Sequence, residues 1–203
     1  MVVHEPQVVG VPSGLSSEAA ATLVDAGATA MNAAGVVRRS GHRRVTIVGG
    51  GPVGFLVAEL LRESCELLVV EPAPARRDVL RQLGYQVSST VGDVEQASEV
   101  VVDCAGVAAV VPWGIEHLKP RGLFVVVGYC FVPLVDFAPV ARKELTIRGV
   151  RSGSRADLAE VLDLASAEKI RLPPIEVWPL DDINDALEAL RRGKVEGKAI
   201  IVP

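Results

Sequence analysis

The chain has 203 residues, 49% of them hydrophobic and only 4% aromatic, so any core is built from Val, Leu, Ile and Ala. That length suits one large domain or a domain with an appendage, and that composition suits a parallel sheet covered on both faces by helices. A net charge of −4 and a pI of about 5.5 argue against a nucleic-acid-binding surface, and the apolar runs read as shorter than the about 20 residues that span a bilayer.

The start, Met1-Val2-Val3-His4-Glu5-Pro6, is neither basic nor followed by a long apolar core, so no signal peptide is expected and the chain reads as cytoplasmic. Cys65, Cys104 and Cys130 are too scattered for a disulfide framework and read as buried, reduced thiols. Val8-Val9-Gly10-Val11-Pro12 reads as a short strand running into a turn. Ser16-Ser17-Glu18 then caps a helix through Ala19 to Asp25, with a second helix between Gly27 and Gly35. From Arg44 onward strands and helices alternate. Val45 to Val48, Leu67 to Val70, Tyr85 to Ser88, Val100 to Asp103, Leu123 to Val127 and Leu145 to Val150 read as strands. Val53 to Arg62, Pro74 to Leu83 (closed by Gly84) and Val110 to Leu118 read as the helices between them. In the tail, Leu158, Val161, Leu162 and Ala165 mark one helix face, and Ile183, Ala186, Leu187 and Leu190 another, capped by Asp181. Lys198 to Val202 is the last strand. The class is therefore α/β, a doubly wound parallel sheet of the Rossmann kind with short N- and C-terminal extensions, and a ligand crevice at the carboxyl ends of the strands.

The chemistry-bearing motif is Gly49-Gly50-Gly51-Pro52-Val53-Gly54, a G-x-G-x-x-G between a strand and a helix. Gly49 permits the tight turn, Gly51 lets the backbone approach a pyrophosphate, and Gly54 lets helix pack close to strand. Pro52 and Val53 open the helix whose free N–H groups and dipole favour a negative charge. Glu71 ends the second strand, 22 residues after Gly49, where an acid meets the adenine ribose hydroxyls. A phosphate loop of the hydrolase kind would need Gly-Lys-Ser/Thr, which is not present. Glu71 favours NAD(H) over NADP(H) by repelling a 2′-phosphate, while Arg76 and Arg77 pull the other way. His4, His42 and His117 stand isolated from any Cys or Glu at zinc-ligand spacing, so no metal site is expected.

Taken in order, Val45 to Gly54, Val70-Glu71-Pro72 with Arg76-Arg77, Asp103-Cys104-Ala105-Gly106, Gly122 to Gly128 and Pro179 to Val202 resemble the medium-chain dehydrogenase/reductase superfamily. The opening Val11 to Ala20 resembles the segment where that family leaves its catalytic domain, so the resemblance covers essentially the whole chain. It implies that Thr29 lies near the nicotinamide, and that Arg76 reaches the adenine ribose. By the same resemblance Ala105, Gly106 and Gly128 line the nicotinamide ribose, a main-chain group at Ser152 meets the carboxamide, and Lys198 helps neutralise the pyrophosphate. Asp25 falls where zinc-dependent members place a third zinc ligand, but the barrel-like domain supplying the other ligands has no counterpart here, and zinc is not expected in this chain. Tyr129 either donates a proton near the nicotinamide or packs at the core rim, the second being favoured; no catalytic residue is singled out.

On this reading residues 1–38 are a remnant or linker of the catalytic domain, 39–168 the dinucleotide-binding domain and 169–203 a C-terminal return segment. The implied activity is hydride transfer between a nicotinamide and an alcohol, carbonyl or enone. The alternative is a non-catalytic NAD(H)-binding module, or a truncated homologue that needs a partner chain or does non-redox chemistry. The resemblance also implies a homodimer joined through strand 144–150. An apolar surface is expected near Val8–Leu23 and Ile175–Leu180, covered by the terminal segments or by a partner.

Overall fold

Short β-branched runs make the frame. In chain order the elements are α1 (Ser17–Thr22), a π-helical turn (Leu23–Gly27), α2 (Ala28–Ser40), β1 (Arg44–Val48), α3 (Pro52–Leu61), β2 (Glu66–Val70), α4 (Pro74–Gln82), β3 (Gln86–Ser88), β4 (Val100–Asp103), α5 (Val110–His117), β5 (Leu123–Val126), α6 (Ala138–Arg142), β6 (Thr146–Gly149), α7 (Arg155–Ser166), β7 (Ile175–Pro179), α8 (Ile183–Arg191) and β8 (Lys198–Val202). This computed structural model describes residues 4–5, 8–132 and 134–203. Met1-Val2-Val3 and Pro6, which carry the reading of no signal peptide, lie outside the described residues.

Strands β1 to β6 form one parallel sheet in the order β3-β2-β1-β4-β5-β6. The winding reverses between β1 and β4, which places the crevice at their carboxyl ends. Val45, Ile47, Val100, Val101, Val102 and Val125 are fully buried, because helices cover the central strands on both faces. Each such side chain contributes about 1.5–3 kcal/mol of burial. Phe124, also buried, lies against Gly114 of α5, and removing its ring would cost about 3–5 kcal/mol.

At the amino ends of the strands a buried ion pair ties distant segments together. Glu59 of α3 takes Arg171 Nη2 at 2.7 Å, the Arg171 main-chain N–H at 2.9 Å and the Tyr85 hydroxyl at 2.5 Å. Burial alone would raise the Glu59 carboxyl, but the hydrogen bonds from Arg171 and Tyr85 outweigh it and hold it below the usual range. Burial and the contact with Glu59 push the Tyr85 phenol well above its ordinary value.

Several expectations are corrected. The stretch from Ser17 to Ser40 is one continuous helix, with neither Gly27 nor Gly35 breaking it. Gly27 instead lies in the π turn, where a Cβ would stand 2.8 Å from Leu23 Cδ2 and 3.1 Å from Val161 Cγ1 of α7. That helix is long and apolar enough to cross a membrane by length and composition, contrary to the reading of the apolar runs, but 72% of its apolar window is buried in this fold. Val8 to Pro12 form no strand: Pro12 lacks an N–H, and Val8 and Val11 are exposed. Asp181 caps nothing, because it sits inside a 3₁₀ turn, Leu180–Asp182, that precedes α8. Of the α8 face only Ala186 is buried, leaving Ile183, Leu187 and Leu190 exposed. Strand β7, absent from the sequence reading, pairs in parallel with β8 in a separate ribbon. Val177 and Leu180 there are exposed, as expected of an apolar surface in that region. Cys130 is exposed rather than buried, and Cys65 and Cys104 are partly buried.

Candidate dinucleotide site

The site is built where β1 hands over to α3. Gly49, at φ +97, turns the chain in a conformation that side-chain-bearing residues rarely adopt, and its N–H donates to the Val70 carbonyl at 2.8 Å. Pro52 occupies the first turn of α3, where its missing N–H costs nothing. No side chain caps this helix, so the N–H groups of Val53 and Gly54 remain as donors at the positive end of its dipole. A Cβ on Gly54 would collide with the Gly49 carbonyl oxygen, so Gly54 sets the close approach of helix to loop. A Cβ on Gly51 would meet nothing within 4 Å, so the space in front of the helix end is open. An anion placed there would face the free donors.

Glu71 stands beside this loop and is only 2% exposed. Its Oε2 accepts the Gly50 N–H at 2.8 Å, and its Oε1 accepts the Ala73 N–H at 2.8 Å and Arg76 Nη2 at 3.0 Å. The acid thus holds the glycine loop as well as facing it, and Oε2 accepts a single hydrogen bond. Arg77 Nη1 is held by the Glu71 carbonyl at 3.0 Å and by the Pro72 carbonyl. The middle glycine has its own role: a Cβ on Gly50 would stand 2.8 Å from Leu80 Cδ1 and 3.1 Å from Glu71 Cβ. The sequence reading gave Gly50 none.

The loops after β4 and β5 complete the rim. Asp103 is 1% exposed; its Oδ1 accepts the N–H groups of Ala105 and Gly106, each at 3.0 Å, while Oδ2 is buried with no partner. Burial pushes its carboxyl above the usual range, against the pull of the Gly106 and Ala105 N–H groups. Its carbonyl accepts from Val127 at 3.0 Å and Gly128 at 2.7 Å, so one residue fixes both loops. Gly106, at φ +63, and Gly128 pack backbone to backbone, and a Cβ on Gly49 would stand 3.1 Å from the Ala105 nitrogen. Gly49, Gly51, Gly54, Glu71, Arg76, Ala105, Gly106 and Gly128 are therefore gathered at one end of the sheet. Asp103 was missed as a site residue, though an acid ending a strand of valines just before a glycine turn is its signal. Burial, with Asp103 beside it, raises the Cys104 thiol far above its ordinary value.

The turn at Ser152 and Gly153 packs on α2 at Ala28 and Asn32, on either side of Thr29 in the chain. Asn32 Nδ2 of α2 donates to the Ser152 carbonyl at 2.8 Å, Gly153 lies against the Ala28 carbonyl, and Thr29 is buried beside them. Lys198 opens β8, and no hydrogen bond or ion pair among the described residues joins it to the glycine loop. Tyr129 does not pack at the core rim: it is 89% exposed. Asp25 is exposed in the π turn, and no three His, Cys, Asp or Glu among the described residues converge as a metal site would require. His117 is spent elsewhere, in a chain with Ser98 at 3.2 Å and Thr46 beyond it at 2.6 Å.

A family profile described as zinc-binding dehydrogenase matches residues 83–201. A zinc-type alcohol dehydrogenase-like protein of Leptosphaeria maculans, YogA, is 29% identical over 98% of this chain and 62% of its own length. The alcohol dehydrogenase of the archaeon Aeropyrum pernix superposes with a TM-score of 0.83 at 26% identity, over 90% of this chain and 57% of that one. Acetophenone reductase from Geotrichum candidum, solved in complex with NAD, shares the fold with a TM-score of 0.84 at 21% identity, over 96% of this chain and 58% of that one. The chain thus spans about 60% of the length of the relatives it matches.

Proposed function

The chain belongs to the zinc-binding dehydrogenase family and corresponds to its cofactor-binding half, and we propose that it binds a nicotinamide dinucleotide, NAD(H) in preference to NADP(H), for an alcohol dehydrogenase-like oxidoreduction. The observation that carries this reading is the glycine loop: uncapped N–H groups at the start of α3, open space at Gly51, and an acid on the neighbouring strand. Such a nucleotide would supply hydride chemistry toward an alcohol, carbonyl or enone. The residues here bind and orient it. The α3 N-terminus takes the pyrophosphate, aided by Lys198. Glu71 takes the adenine ribose with Arg76 beside it. The Ala105–Gly106 and Gly128 loops take the nicotinamide ribose, and Thr29 and the Ser152 main chain take the nicotinamide.

Preference for NAD(H) rests on Glu71, whose carboxylate would repel a 2′-phosphate. Arg76 Nη2 is held by that carboxylate and Arg77 Nη1 by main-chain carbonyls, which draws both guanidiniums toward the strand end. We propose further that the residues described here hold no zinc by themselves, since no three His, Cys, Asp or Glu converge among them at Asp25 or elsewhere.

The proposed homodimer joins through residues 144–150. Strand β6 is the sheet's outer strand and Ile147 is 41% exposed. Thr146 and Val150 donate inward to the carbonyls of Gly122 and Val126, so the alternation turns the Ile147 N–H to the open edge, free to pair with a second copy.

Titration of the purified chain with NADH and NADPH, by nicotinamide fluorescence and calorimetry, tests the reading. NADH is expected to bind tighter than NADPH, and Gly51→Asp to abolish both. Failure of either nucleotide to bind would remove the reading.

A further inference from the structure

At the opposite end of the sheet from the glycine loop lies a groove of about 400 Å³, between the end of α2 and the starts of β5 and β6. Arg39, His42, Arg121 and Arg148 line it, over an apolar floor of Val36 and Leu123, with Thr146 at its side. No acid lines it. Other arginines of the chain pair with acids, Arg44 with Glu66, Arg76 with Glu71, Arg171 with Glu59 and Arg192 with Glu188, or rest on main-chain carbonyls, as Arg38 does on Leu60 and Arg155 on Val8. Arg121 pairs with Glu144 at 2.9 Å, but Arg39 and Arg148 make no ion pair or side-chain hydrogen bond among the described residues. In a chain of net charge −4, leaving two guanidiniums unpaired in one groove concentrates positive potential there.

Arg38 and Arg39 at the end of a helix would by themselves be explained by its dipole. Arg121, Arg148 and His42 come from other segments and are not. A second observation concerns Gly35. Glycine inside a helix is unfavourable relative to alanine, yet Gly35 stands in the middle of α2, and a Cβ there would be 3.1 Å from Arg39 Nη1. The missing side chain lets the Arg39 guanidinium lie against the helix at the groove.

We propose that this groove binds a small organic phosphate, its phosphoryl oxygens held by Arg39 and Arg148 and its apolar body resting on Val36 and Leu123. Guanidinium groups hold phosphate through paired charge-assisted hydrogen bonds. The site is separate from the dinucleotide site: five residues of β1 span about 16 Å between the two ends of the sheet. It does not rest on the nicotinamide reading.

The test is calorimetric titration of the full chain with phenyl phosphate, alone, in the presence of NADH, and in the Gly51→Asp variant. Saturable binding is expected in all three. Arg148→Ala, on an exposed strand position, should weaken it about tenfold or more, the loss of one charged hydrogen-bonding partner. Gly35→Ala keeps every charge, should raise Tm, and should still weaken phenyl phosphate several-fold by displacing Arg39. No saturable binding, or equal binding in Arg148→Ala, would overturn the proposal. So would binding that NADH displaces or Gly51→Asp removes, since the phosphate would then sit on the glycine loop.

Discussion

Gly51 and Gly54 stand three residues apart in one motif, and adding the same methyl group to each should have opposite consequences. Gly51 has φ −67 and ψ −176, which any residue adopts, and a Cβ there meets nothing within 4 Å. Gly51→Ala should therefore fold normally and gain about 0.5 kcal/mol from a less flexible unfolded chain, raising Tm by about 1–2 °C. Its methyl group would occupy the open space before the α3 N–H groups. Displacing a pyrophosphate from two charge-assisted hydrogen bonds there costs about 3 kcal/mol, so NADH affinity should fall about a hundredfold. Gly54→Ala instead drives its Cβ into the Gly49 carbonyl oxygen. Relieving that collision means moving backbone, at about 3 kcal/mol, and Tm should fall by about 10 °C. Thermal unfolding and NADH fluorescence titration on both variants separate the two effects. A Gly51→Ala protein that binds NADH as tightly as the wild type would refute the placement of the pyrophosphate, whatever happened to Gly54.

The two buried carboxyls pull the acid limb of the stability curve in opposite directions. Glu59 is held below its unfolded value of about 4.3, so its contribution is present above that pH and lost as pH falls through the lower folded value. Glu59→Gln should cost about 3 kcal/mol at neutral pH, the low end for a broken buried pair because the Arg171 side chain is 37% exposed, and the gap to wild type should narrow below about pH 4 in urea unfolding curves. A constant gap would refute the pairing. Asp103 is held above its unfolded value of about 3.9, so its contribution is present below that pH and lost as pH rises through the folded value. Asp103→Asn keeps an acceptor for Ala105 and Gly106 and should therefore gain on wild type as pH rises; parallel curves would show that the Asp103 carboxyl titrates alike in the folded and unfolded states. Ile147→Pro removes a donor that faces the open edge of β6 and none that faces β5, so light scattering should report a dimer for wild type and a folded monomer for the variant. A wild-type monomer, or a variant dimer, would exclude pairing at this edge.

How much of this was legible in the sequence depended on how far apart the partners lie along the chain. Gly49, Gly51, Gly54 and Glu71 could be read because a strand, a turn, a helix and the next strand follow one another, and spacing alone fixes their geometry. The parallel sheet followed from the same alternation. The helix from Ser17 to Ser40 was misread because the cost of glycine at positions 27 and 35, about 1 kcal/mol each, is a local propensity. At Gly27 the close contact with Val161 of α7 overrides it, and nothing local announces that contact. Strand β7 was missed for a related reason: its one partner, β8, starts 23 residues after β7 does. The pair of Glu59 and Arg171 spans 112 residues and left no pattern at all.

The two ends of the sheet show the same division in their chemistry. At the carboxyl end the candidate site is made mostly of backbone: N–H groups, a helix terminus and glycines that keep side chains out of the way. Backbone sites are encoded by glycine spacing, which is local, so a motif reveals them. At the amino end the groove is made of side chains that arrive from α2, from the turns after it and before β5, and from β6. No spacing rule relates Arg39 to Arg148, and only the pairing of β5 with β6 beside the end of α2 brings them to one place. Gly35 is the one local trace of that groove, and by sequence it reads as a helix breaker. Its purpose becomes visible only when Arg39 is seen lying where a side chain would have been.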